Sequence, residues 1–132
     1  MINWYSKDKE YVLKVDENGA AIVGKDYGGL MRGFISLLMK IEYDDEYLKI
    51  KTVTEESNYK INNRMIHICV FPENDLYFIK KLIRLCALCQ YTHIVIEFWG
   101  TLQYDCLKEL AWPHAFTKAQ AAELIEECRN LG

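Results

Sequence analysis

Two apolar runs constrain this chain most: Met65-Ile66-His67-Ile68-Cys69-Val70-Phe71 and His93-Ile94-Val95-Ile96-Glu97-Phe98, with a helix-periodic segment between them. Side chains alternate faces along a strand, so a run apolar at successive positions suits a strand buried on both faces. In the intervening segment Leu76, Ile79, Leu82, Ile83, Cys86 and Cys89 form one apolar stripe, while Lys80, Lys81 and Arg84 fall outward. Asn74 or Asp75 can cap that helix. Strand, helix, strand with both strands apolar predicts a right-handed parallel βαβ unit.

A long irregular connection from Trp99 to Phe116 follows, and Thr117 with Gln120 three residues later has capping-box spacing. The helix that Thr117 opens is expected to bury Ala121, Leu124, Ile125, Cys128 and Leu131. In a βαβα sequence the next element is a third parallel strand, and two parallel strands cannot close a barrel. The expectation is therefore a piece of a larger protein.

The first half has a different character. Tyr11-Val12-Leu13-Lys14-Val15, the turn residues Asp16-Glu17-Asn18-Gly19 and the run Ala20 to Val23 predict a β-hairpin. Asp26 can cap a helix with Leu30, Phe34, Leu37, Leu38 and Ile41 on one face. Gly28, Gly29 and Gly33 would let that helix lie close on a sheet, and no Lys-Ser or Lys-Thr pair follows them as a phosphate loop requires. After the acidic turn Asp44-Asp45-Glu46, the alternation from Tyr47 to Val53 predicts a half-exposed strand with Lys49 and Lys51 in water. The polar stretch from Glu55 to Asn63 separates the halves, giving expected domains of residues 1–60 and 61–132. The fold class is α/β (α+β): a small hairpin-helix-strand unit, then a β-α-β-α segment.

A 51% hydrophobic composition supports a packed core, and 16 basic against 19 acidic side chains form no basic stripe, so nucleic acid is not an expected partner. No apolar run is long enough to span a membrane, and Met1-Ile2-Asn3-Trp4-Tyr5 lacks a signal-peptide layout, which leads to an expected cytoplasmic location. Of the five cysteines, Cys69, Cys86, Cys89 and Cys128 lie in apolar segments, as reduced core thiols do.

The second half resembles the opening β-α-β-α of the (β/α)8 barrel in glycoside hydrolase family 20, the β-N-acetylhexosaminidases. The likeness is carried by Trp112-Pro113-His114-Ala115-Phe116-Thr117-Lys118 and the helix ending Cys128-Arg129-Asn130-Leu131-Gly132. The first half is similar to the end of the small domain before that barrel, through Tyr11-Val12-Leu13-Lys14-Val15 to Gly19 and Gly29-Leu30-Met31-Arg32-Gly33-Phe34 to Leu37. The resemblance implies a TIM barrel cut short and removal of terminal N-acetylhexosamine, with the substrate's own acetamide as nucleophile. It also implies that Arg64, before the first barrel strand, grips sugar hydroxyls; by itself the residue could equally cap a strand end in water. Glu97-Phe98-Trp99-Gly100 stands where relatives carry an acidic-aromatic phrase, which makes Glu97 and Trp99 substrate-binding candidates. Glu97 could also be solvated or tied to a neighbouring strand. Met65, Cys69 and Gly100 depart from the family pattern.

The family's catalytic Asp-Glu pair lies at the end of the fourth barrel strand, beyond these residues, so no catalytic residue and no turnover are expected of this chain. No cofactor is expected either. Cys86-Ala87-Leu88-Cys89 has redox spacing but falls late in a helix, where core packing explains it better. A zinc site drawn from His67, His93, His114 and the cysteines lacks paired ligand spacing, and a Cys69-His nucleophile has only one buried thiol behind it. The competing function is a non-catalytic αβ interaction module, self-associating into a homo-oligomer through apolar surface at exposed barrel edges.

Overall fold

The computed structural model describes residues 9–132, so the signal-peptide reading of Met1 to Tyr5 lies outside the described residues. The described residues divide into two compact units, residues 9–62 with Gly132, and residues 63–131.

In the first unit, strands β1 (Tyr11–Asp16) and β2 (Gly19–Gly24) form the hairpin, in a register running from Tyr11 opposite Gly24 to Asp16 opposite Gly19. Asp16 Oδ1 accepts from the Asn18 N–H at 2.9 Å, and Gly19 takes a φ of 132° that a side chain would resist. Helix α1 (Tyr27–Met39) is capped by Asp26, whose carboxylate accepts from the Gly29 N–H. Two short strands, β3 (Glu42–Asp44) and β4 (Tyr47–Lys49), pair as an exposed hairpin, and β5 (Val53–Glu56) adds antiparallel to β1. The sheet order is β2-β1-β5, and central β1 supplies buried Tyr11, Leu13 and Val15 to the core.

Two sequence expectations for this unit are corrected. Residues 47–53 are not one strand: Asp45, at φ 28°, turns Tyr47–Lys49 back on Glu42–Asp44, while Val53 onward joins the larger sheet. Helix α1 buries little of its leucine-rich face: Leu37 packs against the core of β1, but Leu30, Phe34, Leu38 and Ile41 are exposed. It buries Gly29, Arg32, Gly33, Ile35 and Ser36 instead. Close approach decides this, because a Cβ on Gly33 would stand 2.6 Å from Ile22 Cγ2. Arg32 is accommodated on this face by pairing with Glu10 at 2.6 Å.

In the second unit, β6 (Met65–Val70) and β7 (His93–Phe98) pair in parallel, in register from Met65 opposite His93 to Val70 opposite Phe98. Helix α2 (Leu76–Leu88) connects them, with the Asp75 carboxylate accepting from the Phe78 N–H. A short 3-10 turn (Lys108–Leu110) and helix α3 (Lys118–Asn130) follow, the latter opened by the expected Thr117–Gln120 capping box. Ile68, Val70, Ile79, Ile83, Cys86, Phe116 and Leu124 form the core. Burying a side chain such as Ile79, with no exposed surface, contributes about 1.5–3 kcal/mol. Lys80 and Arg84 pair with Glu123 and Glu127, tying α2 to α3 at 2.8 and 2.6 Å.

The strands of this unit are not buried on both faces. Ile66, Ile68 and Val70, with Ile94, Ile96 and Phe98, face the core, whereas Met65, His67, His93 and Val95 on the other face are exposed. Two further apolar assignments change: Cys89 is the exposed C-cap of α2, and Ile125 is 53% exposed. The fold is mixed α/β, and the described residues form no closed barrel. No helix among them is long and apolar enough to cross a membrane.

Candidate functional site

Alternation along β6 puts His67 and Cys69 on its open face, and the parallel register sets Cys69 beside Glu97 of β7. The Glu97 carboxylate collects both neighbours, with His67 Nε2 at 2.9 Å and the Cys69 thiol donating at 3.4 Å. The hydrogen bond to this carboxylate, helped by burial, pushes the Cys69 thiol above its ordinary value, and a hydrogen bond involving Trp99 acts the other way. Trp99 follows the last residue of β7 and is exposed. Thus His67, Cys69, Glu97 and Trp99 gather toward the C-terminal end of the parallel pair.

The connection after Trp99 is held by backbone and packing. Buried Thr101 donates its hydroxyl to the Val70 carbonyl at 3.2 Å, fastening the loop to the end of β6. The Trp112 N–H donates to the Gly100 carbonyl at 2.7 Å, and the Trp112 ring lies so close that a Cβ on Gly100 would stand 2.4 Å from its Nε1. Glycine is therefore a packing requirement here. Pro113 and His114 form a turn closed by the Ala115 N–H donating to the Trp112 carbonyl at 3.1 Å, with His114 at φ 67°. Phe116 then returns to the sheet, packing edge-on against Phe98 with ring centres 6.0 Å apart. An open cleft of about 690 Å³ lies within this loop, lined by Tyr104, Lys108, Trp112, His114 and Lys118 among others.

Of the three residues expected to bind sugar, Glu97 and Trp99 lie together and Arg64 stands apart. Arg64 precedes β6, and five residues of parallel strand, about 16 Å, separate it from Cys69, the partner of Glu97. Its Nε donates to the Gln90 carbonyl at 2.7 Å, and its N–H donates to Thr92 Oγ1 at 3.0 Å. Glu97 is tied to the neighbouring strand, one of the two alternatives open from sequence. The sequence sets His67 and Cys69 aside as metal or nucleophile candidates; the strand register, which brings both to Glu97, is what local spacing does not carry. Cys86 is buried and its thiol pushed up by that burial, the opposite of an activated redox cysteine.

No family model matches the sequence, and no curated protein matches it. Among solved structures, a glycoside hydrolase family 20 β-N-acetylglucosaminidase matches with a TM-score of 0.79 at 19% identity, over 92% of this chain and 28% of that chain. The family 20 β-N-acetylhexosaminidase from Streptomyces coelicolor A3(2) matches with a TM-score of 0.79 at 18% identity, over 94% of this chain and 30% of its own. At these identities the likeness establishes fold: the chain folds like a part of a family 20 hexosaminidase and spans less than a third of those chains.

Proposed function

We propose that this chain forms one part of a glycosidase that removes terminal N-acetylhexosamine, providing the end of the pre-barrel domain (residues 1–60) and the first two β/α units of the barrel (residues 61–132). The observation that carries this reading is the TM-score of 0.79 over 92% of the chain, across both units. Support comes from Glu97 and Trp99, which lie toward the C-terminal end of parallel strands, where barrel enzymes assemble their sites. Trp99 offers an exposed ring for a sugar face and Glu97 an acceptor for hydroxyls, whereas Arg64, at the other end of β6 with its Nε on the Gln90 carbonyl, enters this reading through the family resemblance alone.

These residues by themselves do not turn over substrate. Substrate-assisted hydrolysis needs one carboxylic acid at the leaving oxygen and a second carboxylate to orient the acetamide. Glu97 is engaged by His67 and Cys69, and Asp44-Asp45-Glu46 is an exposed turn with no enclosing pocket to hold a sugar. The reading places the protein in the cytoplasm, where its free thiols stay reduced.

The test is hydrolysis of a chromogenic N-acetylglucosaminide by this chain and by a longer one carrying the other barrel strands. Activity in the longer chain alone supports the proposal; silence in both removes it. The exposed Leu30, Phe34 and Leu38 of α1 favour one second reading, a non-catalytic module that self-associates, and sedimentation velocity decides it.

A further inference from the structure

We infer that His67, Cys69 and Glu97 form a binding site for a zinc-like divalent ion on the open face of the β6–β7 pair. The three offer an imidazole nitrogen, a thiolate sulfur and a carboxylate oxygen, the donor set that zinc accepts. Their ligand atoms all lie within 4.8 Å of one another, and they are the one such group found among the described residues. Tetrahedral zinc, with bonds of about 2.0–2.3 Å, separates its ligand atoms by about 3.3–3.8 Å. The observed 2.9 Å from His67 Nε2 to Glu97 Oε2 and 3.4 Å from Cys69 Sγ to the same oxygen need a small spreading, and the His67–Cys69 pair, within 4.8 Å, a modest drawing-in, to admit the ion.

The placement is fixed by backbone rather than by flexible loops. His67 and Cys69 are two apart on one strand, hence on one face, and Glu97 is the register partner of Cys69 on the next. Binding replaces the thiol proton, which passes to solvent, and breaks the hydrogen bonds to Glu97 in favour of metal bonds. Three protein ligands leave a fourth position on a face where the His67 side chain is 54% and the Glu97 side chain 43% exposed, so water or a small anion can complete the shell. The site rests on the strand register, not on the sugar reading; the two share Glu97, and a metal titration without sugar tests the site separately.

The test is zinc titration of the reduced full chain against a chromogenic chelator, with no sugar present, and cobalt(II) as a spectroscopic probe. We expect one ion per chain and a sulfur-to-cobalt charge-transfer band. Cys69→Ser, His67→Gln and Glu97→Gln should each weaken binding at least about tenfold, since even residues behind a metal ligand commonly cost that much. Circular dichroism of each variant confirms that the fold is kept. A Cys89→Ser, Cys106→Ser double variant, which removes the two exposed thiols, should bind as the parent does. Absence of binding, parent-like binding by the three ligand variants, or loss of the cobalt band in the double variant would each overturn the site.

Discussion

The Arg64 guanidinium donates from Nε to the carbonyl of Gln90 at 2.7 Å, bracing the start of β6 against the turn that leads into β7. Gln90 itself sits at φ 64°, an uncommon conformation for a side chain other than glycine, and the Tyr91 N–H donates back to the Cys86 carbonyl at 3.0 Å. Arg64→Ala is expected to lower stability by about 1.5–3 kcal/mol in urea unfolding, the usual worth of a hydrogen bond from a charged donor. In the glycosidase reading the same change also weakens binding of an N-acetylglucosaminide. Lower stability with unchanged sugar affinity would leave Arg64 the bracing role alone.

In the first unit, one carboxylate organises the core side of the sheet. Glu55 accepts from the Tyr11 hydroxyl and the Ser36 hydroxyl, both at 2.6 Å, and pairs with Lys40 at 2.5 Å. Burial pushes the Glu55 carboxyl up, but the bonds from Lys40, Ser36 and Tyr11 prevail and hold it below its ordinary value. The stability it contributes is complete above about pH 4.3 and is lost as pH falls through the lowered folded value. Burial, followed by the bond to Glu55, raises the Tyr11 phenol well above the usual range. That contribution is present below about pH 10 and is lost as pH rises further. Unfolding monitored across pH should show both limbs, with Glu55→Gln flattening the acid limb and Tyr11→Phe the alkaline one. An unchanged alkaline limb in Tyr11→Phe would contradict this assignment.

Most elements could be read from local chemistry. Asp26, Asp75 and the Thr117–Gln120 box mark helix starts because short polar side chains satisfy N–H groups that the helix itself leaves open. Which face of each element is covered depends on what packs there, and local pattern does not carry that information. The leucine periodicity of α1 marks a face that, Leu37 apart, is exposed, because close backbone approach needs the glycine face. Apolar runs in β6 and β7 imply burial on both faces, yet only one is covered among the described residues. The same gap hid the candidate site: Cys69 reads as a core thiol until its strand register sets it beside Glu97.

The glycine face of α1 yields a prediction opposite to that of helix propensity. Replacing glycine by alanine inside a helix ordinarily stabilises by about 1 kcal/mol. A Cβ on Gly29 would stand 2.2 Å from the Glu10 carbonyl oxygen, and one on Gly33 would meet Ile22 Cγ2 at 2.6 Å and the Tyr11 ring at 3.2 Å. Ile22 can shift its methyl by rotation, so Gly33→Ala should cost about 1–3 kcal/mol, as an overpacked core does. Glu10 presents backbone, which also supports the Lys25 N–H at 2.9 Å, so Gly29→Ala must displace the helix or the strand end and should cost more. Thermal unfolding of both variants checks the order: Tm should fall for each, and further for Gly29→Ala. A rise in Tm for either would mean that the helix does not lie this close to the sheet.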